Sequence, residues 1–142
     1  NVNFSIQLPK DSTSQLSIHA DSLSGESKFQ VVLWVPFMNV SKTSSMYIVN
    51  KKESIQNIKN LKKFQYRGME KIYQNCKKNI KFLSIKRNQF LLFSPNLLHG
   101  NVVNKEKITR ISMNCRFKNL FSPYNKEKKH FGKRINLVVL RY

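Results

Sequence analysis

No stretch of this 142-residue chain approaches the roughly 18 consecutive apolar residues that a membrane-spanning helix needs, and no charged leader precedes an apolar signal segment. A soluble protein is the expectation. Cysteine is scarce. Cys76 lies in a Lys-rich helical pattern and Cys115 inside an alternating strand pattern. Two such thiols make neither a disulfide framework nor a Cys-ligated metal site, so they are expected as buried small hydrophobes in a reducing cytoplasm. Acidic residues are few as well: 7 Asp and Glu face 26 Lys and Arg, for a net charge of +19. An excess of this size invites a phosphate-backbone reading, because cationic surfaces bind nucleic acid through counterion release. Its make-up points elsewhere. The excess is almost all Lys, it arrives with abundant Asn and Ile, and an A/T-rich coding sequence favours those three residues. The runs "NKKES", "NLKK", "NCKKNIK" and "NKEKKH" are scattered and lack the Arg and aromatic interleaving of a base-stacking groove. A solvated Lys-rich surface is expected rather than a nucleic-acid site. The chain also lacks internal repeats and low-complexity tracts.

What is present suffices for one compact core: 142 residues, 40% of them hydrophobic, fit a single domain over 1–142. The chain opens on Asn1 and at once alternates as a strand, "NVNFSIQLPK", so it is expected to begin part-way into a larger protein. "FQVVLWVPFMNV" (Phe29 to Val40) is β-branched and aromatic; its near-continuous apolar run predicts a strand buried on both faces until Pro36 weakens the pairing. "SMYIVN" is a second short strand. From about Glu53 to Lys78 apolar residues recur at three- and four-residue steps between lysines, predicting an amphipathic helix or two helices broken near Gly68. Strand patterns return in "KFLSI", "NQFLLFSP", "ITRISMNCRF" and "RINLVVLRY". Within "ITRISMNCRF", Ile108, Arg110, Ser112, Asn114 and Arg116 share one face; Thr109, Ile111, Met113, Cys115 and Phe117 share the other, and this apolar face is expected to pack. The order fits a mainly β, mostly antiparallel protein with one helical insertion. A jelly roll closes such strands without long exposed edges.

The candidate chemistry lies in "LSIHADSLSG" and "LLFSPNLLHGN". In extended chain, residues i and i+2 point to one side, so His19 and Asp21 offer an imidazole nitrogen and a carboxylate oxygen to one point in space. His99 follows a strand and precedes Gly100, and completes the set if the two sheets of a sandwich face each other. Two histidines and one carboxylate with the other positions open suit non-haem Fe(II). Eleven residues past His99, Arg110 sits on the polar face of its strand with Ser112 beside it. A guanidinium there binds a carboxylate through two parallel hydrogen bonds, and a neighbouring hydroxyl adds a third. An inward-facing arginine needs such a partner.

With these residues in place, "IHADS", "VVLWVPFMNV", "TSSMYIV", "SPNLLHGN" and "TRISMNCRF" together resemble the Fe(II)- and 2-oxoglutarate-dependent oxygenases of the phytanoyl-CoA dioxygenase superfamily, over about Leu8 to Tyr124. The branch found sporadically in carbohydrate and aminoglycoside biosynthesis clusters is the most similar. The resemblance implies a double-stranded β-helix (jelly-roll) fold, a metal triad of His19, Asp21 and His99, and an R-x-S pair, Arg110 and Ser112, for the distal carboxylate of 2-oxoglutarate. It implies Fe(II) as cofactor, 2-oxoglutarate and dioxygen as cosubstrates, and hydroxylation or related oxidation of a small metabolite, a sugar or aminocyclitol-like unit first. Ser45, Asn114, Tyr47 and Gln30 are candidate hydrogen-bond partners around the cosubstrate. Trp34, Phe37 and Phe93 are candidate pocket walls. His130, in a charged loop, is expected to be exposed. The resemblance also departs from its pattern: the family carries a longer region ahead of its H-x-D motif, and eighteen residues precede His19 here. Two other classes remain open, a cupin-like sugar isomerase or binding module on the same strands, and a basic β-protein that binds nucleic acid.

Overall fold

A computed structural model describes residues 2–61 and 68–123; His130 and the "RINLVVLRY" segment lie outside them. The described chain is mainly β with two helices. In order it runs β1 (Val2–Gln7), β2 (Gln30–Pro36), β3 (Tyr47–Ile48), α1 (Lys51–Asn60), α2 (Gly68–Cys76), β4 (Lys81–Phe82), β5 (Leu91–Phe93), β6 (His99–Gly100) and β7 (Arg110–Lys118). Two antiparallel sheets result, a larger one in the order β1-β7-β2-β5 and a smaller one in the order β4-β3-β6.

β7 is one of the two interior strands of the larger sheet, paired with β1 (Ser5 opposite Ser112) and with β2 (Trp34 opposite Asn114). Its alternation is as read, but its faces are reversed. Arg110 and Ser112 are buried, while Ile111 and Phe117 are exposed. The polar face looks into the molecule, and the apolar face looks out apart from the buried Cys115. The same pleat governs the neighbours: Phe4 and Ile6 of β1 and Val31 of β2 lie exposed, while Val32, Trp34 and Pro36 are buried. The expectation that β2 is buried on both faces is therefore corrected. Phe37, just past β2, falls on the outer side, where it stacks on Phe4 with ring centroids 6.2 Å apart.

The core is divided between two clusters. One joins Val32, Trp34 and Phe93 of the larger sheet to Val40, Met46 and Ile85. The other gathers Ile18, Ala20, Tyr47, Val49 and Leu98 under Ile72 and Cys76 of α2. The helical insertion is thus two helices among the described residues. α1 opens where the Asn50 side chain accepts the Glu53 backbone N–H at 3.0 Å, a standard N-cap that sets the start two residues before Glu53. Both cysteines are free and buried, as expected.

Candidate metal and anion site

The residues around His19 are extended only briefly. His19 and His99 exchange backbone hydrogen bonds, N–H to O at 2.9 and 2.8 Å, as an isolated antiparallel bridge. Ala20 is extended (φ −126°, ψ 131°), and Asp21 begins a 3-10 turn, Asp21–Ser24, closed by Gly25 at φ 87°. That left-handed φ is where glycine carries no Cβ penalty. Ala20 and Ile18 point into the core cluster beside α2, so His19 and Asp21 both project to the opposite side. The i, i+2 rule holds for the side chains although no strand continues through Asp21.

His99 reaches the same place by a route different from the expected one. It lies in β6, pairs with Ile48 of β3 on one flank and bridges His19 on the other. The two imidazoles are therefore neighbours along one sheet, with ring centroids 4.3 Å apart, and do not face each other across a sandwich. Gly100 must be glycine here: a Cβ would lie 2.6 Å from Tyr47 Oη and 2.9 Å from the Leu16 carbonyl oxygen.

Both histidines are held in the tautomer a metal needs. His19 Nδ1 lies 2.8 Å from Ser17 O and His99 Nδ1 2.8 Å from Leu97 O. A carbonyl oxygen only accepts, so each Nδ1 carries a proton, and in the neutral ring Nε2 is then the nitrogen that offers a lone pair. Asp21 Oδ1 stands 3.8 Å from His19 Nε2 and 4.0 Å from His99 Nε2. The three prospective ligand atoms all fall within 4.8 Å of one another. Burial, and then the neighbouring His19, hold the His99 pKa down to about 4, so its ring is neutral near pH 7. Burial alone would raise Asp21; hydrogen bonding from Arg116 and the nearby positive charges bring it below the ordinary value. A neutral imidazole pair and a carboxylate anion are the protonation states that ligate divalent iron or its relatives.

A cavity of about 330 Å³ opens in front of these three residues. The inward face of β7 lines it with Arg110, Ser112, Asn114 and Arg116 in a row, and Trp34 and Phe93 line it as well. Arg110 is 3% exposed; its guanidinium donates to Ser5 Oγ at 3.2 Å and its Cζ sits 5.9 Å from the Trp34 ring centroid. Among the described residues no carboxylate pairs with it, and its buried Nε finds no acceptor. Burial lowers its pKa to about 10, which leaves it cationic at neutral pH. Ser112 Oγ, equally buried, also has no partner among the described residues. Arg110 and Ser112 both line the cavity, and a guanidinium beside a hydroxyl is an arrangement that can receive an anion.

The other candidates divide. Asn114 lines the cavity and its Oδ1 accepts from Asn3 Nδ2 at 3.2 Å. Ser45 is fully buried outside the cavity wall; its neighbour Met46 takes the wall position. Gln30 also lies outside the wall and donates to Glu26 Oε2 at 3.0 Å. Tyr47 packs in the core against Tyr73 and Phe82, and Phe37 is on the outer face as described above. Arg116 was placed on the polar face by the sequence but assigned no partner; it forks onto Asp21, Nε to Oδ2 and Nη2 to Oδ1, both at 3.0 Å. The asparagines of "HGNVVNKE" were also missed. Asn101 accepts the Leu16 N–H, and Asn104 donates to Ile108 O and accepts from Glu106 N–H, which shapes the loop from His99 to Arg110.

No protein-family model matches this chain, and no curated protein matches it in sequence. Solved structures do match in fold. AviO1 from Streptomyces viridochromogenes Tue57 superposes with a TM-score of 0.63 at 10% identity, over 87% of this chain and 52% of its own. SnoN, a non-heme alpha-ketoglutarate-dependent epimerase from nogalamycin biosynthesis, gives 0.61 at 12% identity over 92% and 50%. The non-heme monooxygenase ThoJ, as its Ni complex, gives 0.59 at 12% identity over 87% and 45%. The chain spans about half the length of these neighbours.

Proposed function

We propose that this chain is an Fe(II)- and 2-oxoglutarate-dependent oxygenase domain, a single jelly roll over 1–142 of the phytanoyl-CoA dioxygenase type, that oxidises a small metabolite. The observation that carries the reading is Arg110: a buried guanidinium that meets no carboxylate among the described residues and lines the cavity that His19, Asp21 and His99 also line. A metal-only site would have no use for it. 2-Oxoglutarate offers a keto acid for a metal at one end and a second carboxylate for a guanidinium at the other.

His19, Asp21 and His99 would hold the metal, and Arg110 with Ser112 would bind the distal carboxylate. Iron and 2-oxoglutarate, when bound, supply the oxidising chemistry toward a substrate C–H bond. The protein's own residues do the rest. Nδ1–H contacts to Ser17 and Leu97 fix the imidazoles, Trp34 and Phe93 give the cavity an apolar lining, and Asn114 is placed to hydrogen-bond a bound molecule. A sugar or aminocyclitol-like unit is the substrate class proposed, in keeping with fold neighbours from natural-product biosynthesis such as SnoN.

The test is an anaerobic titration of the protein with Fe(II) and then 2-oxoglutarate, following the weak visible charge-transfer band of a chelated keto acid. The band should develop in the wild type and be absent in His99→Ala. A folded wild type that binds neither iron nor keto acid would sink the oxygenase reading.

A further inference from the structure

β7 sends two guanidiniums into the same cavity, from positions six residues apart on one face of the strand. Their surroundings differ completely. Arg110 meets no carboxylate among the described residues, whereas Arg116 closes a two-bond fork on Asp21, Nε to Oδ2 and Nη2 to Oδ1, each 3.0 Å. Asp21 is 3% exposed, so its second oxygen has little water to turn to. The oxygen nearer the histidines is Oδ1, 3.8 and 4.0 Å from their Nε2 atoms. Both oxygens accept from Arg116, Oδ1 from Nη2 and Oδ2 from Nε, but Oδ1 is the one that also stands beside the imidazole nitrogens.

We propose that Arg116 is a positioning residue that fixes Asp21 as a one-oxygen metal ligand and so reserves a coordination position for the cosubstrate. This rests on the metal-site reading above. The physical argument is one of denticity. A carboxylate free to rotate can offer one oxygen or both to a cation. Chelation through both would require Oδ2 to leave the fork, which means breaking a charge-assisted bond in a largely buried place. With Oδ2 held in the fork, Asp21 would give a metal one oxygen beside the two imidazole nitrogens and would leave a further position for the cosubstrate. Outer partners of this kind orient ligands in metal sites generally. Lysine would be a poor substitute, since a point charge can favour the anion without gripping both oxygens in a plane.

The experiment uses the full chain loaded anaerobically with Co(II), whose visible ligand-field spectrum reports coordination number. It compares wild type, Arg116→Gln, Arg116→Lys and Arg110→Gln. For Arg116→Gln we expect Co(II) binding about 10- to 100-fold weaker than wild type, the usual effect of losing an outer partner, and, at saturating Co(II), a changed spectrum before any cosubstrate is added and weaker 2-oxoglutarate binding. Arg116→Lys should fall between the two. Arg110→Gln should lose 2-oxoglutarate binding and keep the wild-type Co(II) spectrum. An Arg116→Gln protein that melts cooperatively and shows the wild-type spectrum and wild-type 2-oxoglutarate affinity would overturn the proposal and leave Arg116 as an ordinary ion pair. If the Gln variant does not fold, the Lys variant decides by the same two readings. A wild type that takes up no Co(II) would instead bring down the metal site itself, and the Arg116 proposal with it.

Discussion

His19 and His99, eighty residues apart, are bound to each other by a reciprocal pair of backbone hydrogen bonds, and their imidazoles lie side by side as a result. The frame that presents the two nitrogens is main chain, so it survives loss of either side chain. Removing one imidazole should therefore abolish metal binding without abolishing the fold. His19→Ala and His99→Ala are each expected to weaken Co(II) or Fe(II) binding by more than ~100-fold, beyond the range for loss of an outer partner. Calorimetric titration measures the affinity, and a cooperative urea transition checks that each variant is folded.

Gly100 is the tightest point of that frame. A methyl there would meet Tyr47 Oη at 2.6 Å and Leu16 O at 2.9 Å, and Leu16 is itself pinned by the Asn101 side chain. Tyr47 is fully buried and has no free direction in which to withdraw. Gly100→Ala is expected to cost roughly 1 to 3 kcal/mol, the usual range for overpacking. The urea midpoint should fall with little change in slope.

Much of this arrangement was legible in the sequence, for reasons that differ by residue. The pairing of His19 with Asp21 followed from the extended backbone at Ala20, a local property. The common face of Arg110, Ser112 and Asn114 followed from period-two alternation. Alternation, though, says which residues share a face and not which face is inside, and in β7 the polar face is the inner one because it borders a cavity. The outward placement of Phe37 and Val31 has the same origin. β6 is two residues long, too short for any periodicity, so the direct bridge from His99 to His19 could not be foreseen. Arg116 was visible by parity with Arg110, but its partner Asp21 lies 95 positions away, and only the pairing of sheet and turn brings them together.

Acid should destabilise the protein through the site. His99 titrates near 4 in the folded chain against 6.5 for an ordinary histidine, so the unfolded chain takes up a proton that the folded chain refuses. Its contribution to stability is complete above about pH 6.5 and declines as pH falls toward 4. Asp21, depressed below 3.8, adds a second loss in the same direction at still lower pH. Unfolding free energy from denaturant titration should drop between pH 7 and pH 5 in the wild type. The drop should be smaller in His99→Asn, whose amide does not titrate. An equal drop in both would remove His99 as its source.

Arg110 links binding and stability with opposite signs. Without a ligand it is a desolvated cation whose partners among the described residues are a serine hydroxyl and the face of Trp34. Replacing a buried ionic group by an apolar one of similar volume is often neutral or stabilising by roughly 1 to 4 kcal/mol. Arg110→Met should therefore melt at the same temperature as the ligand-free wild type or higher. Removing one partner of a buried charge-assisted contact costs roughly 2 to 5 kcal/mol, or about thirtyfold to several thousandfold in affinity. Added 2-oxoglutarate with metal should raise the melting temperature of the wild type and leave that of Arg110→Met where it was. A variant that melts lower than the ligand-free wild type and still responds to 2-oxoglutarate would mean that Arg110 serves the fold, and that the anion is held elsewhere in the cavity.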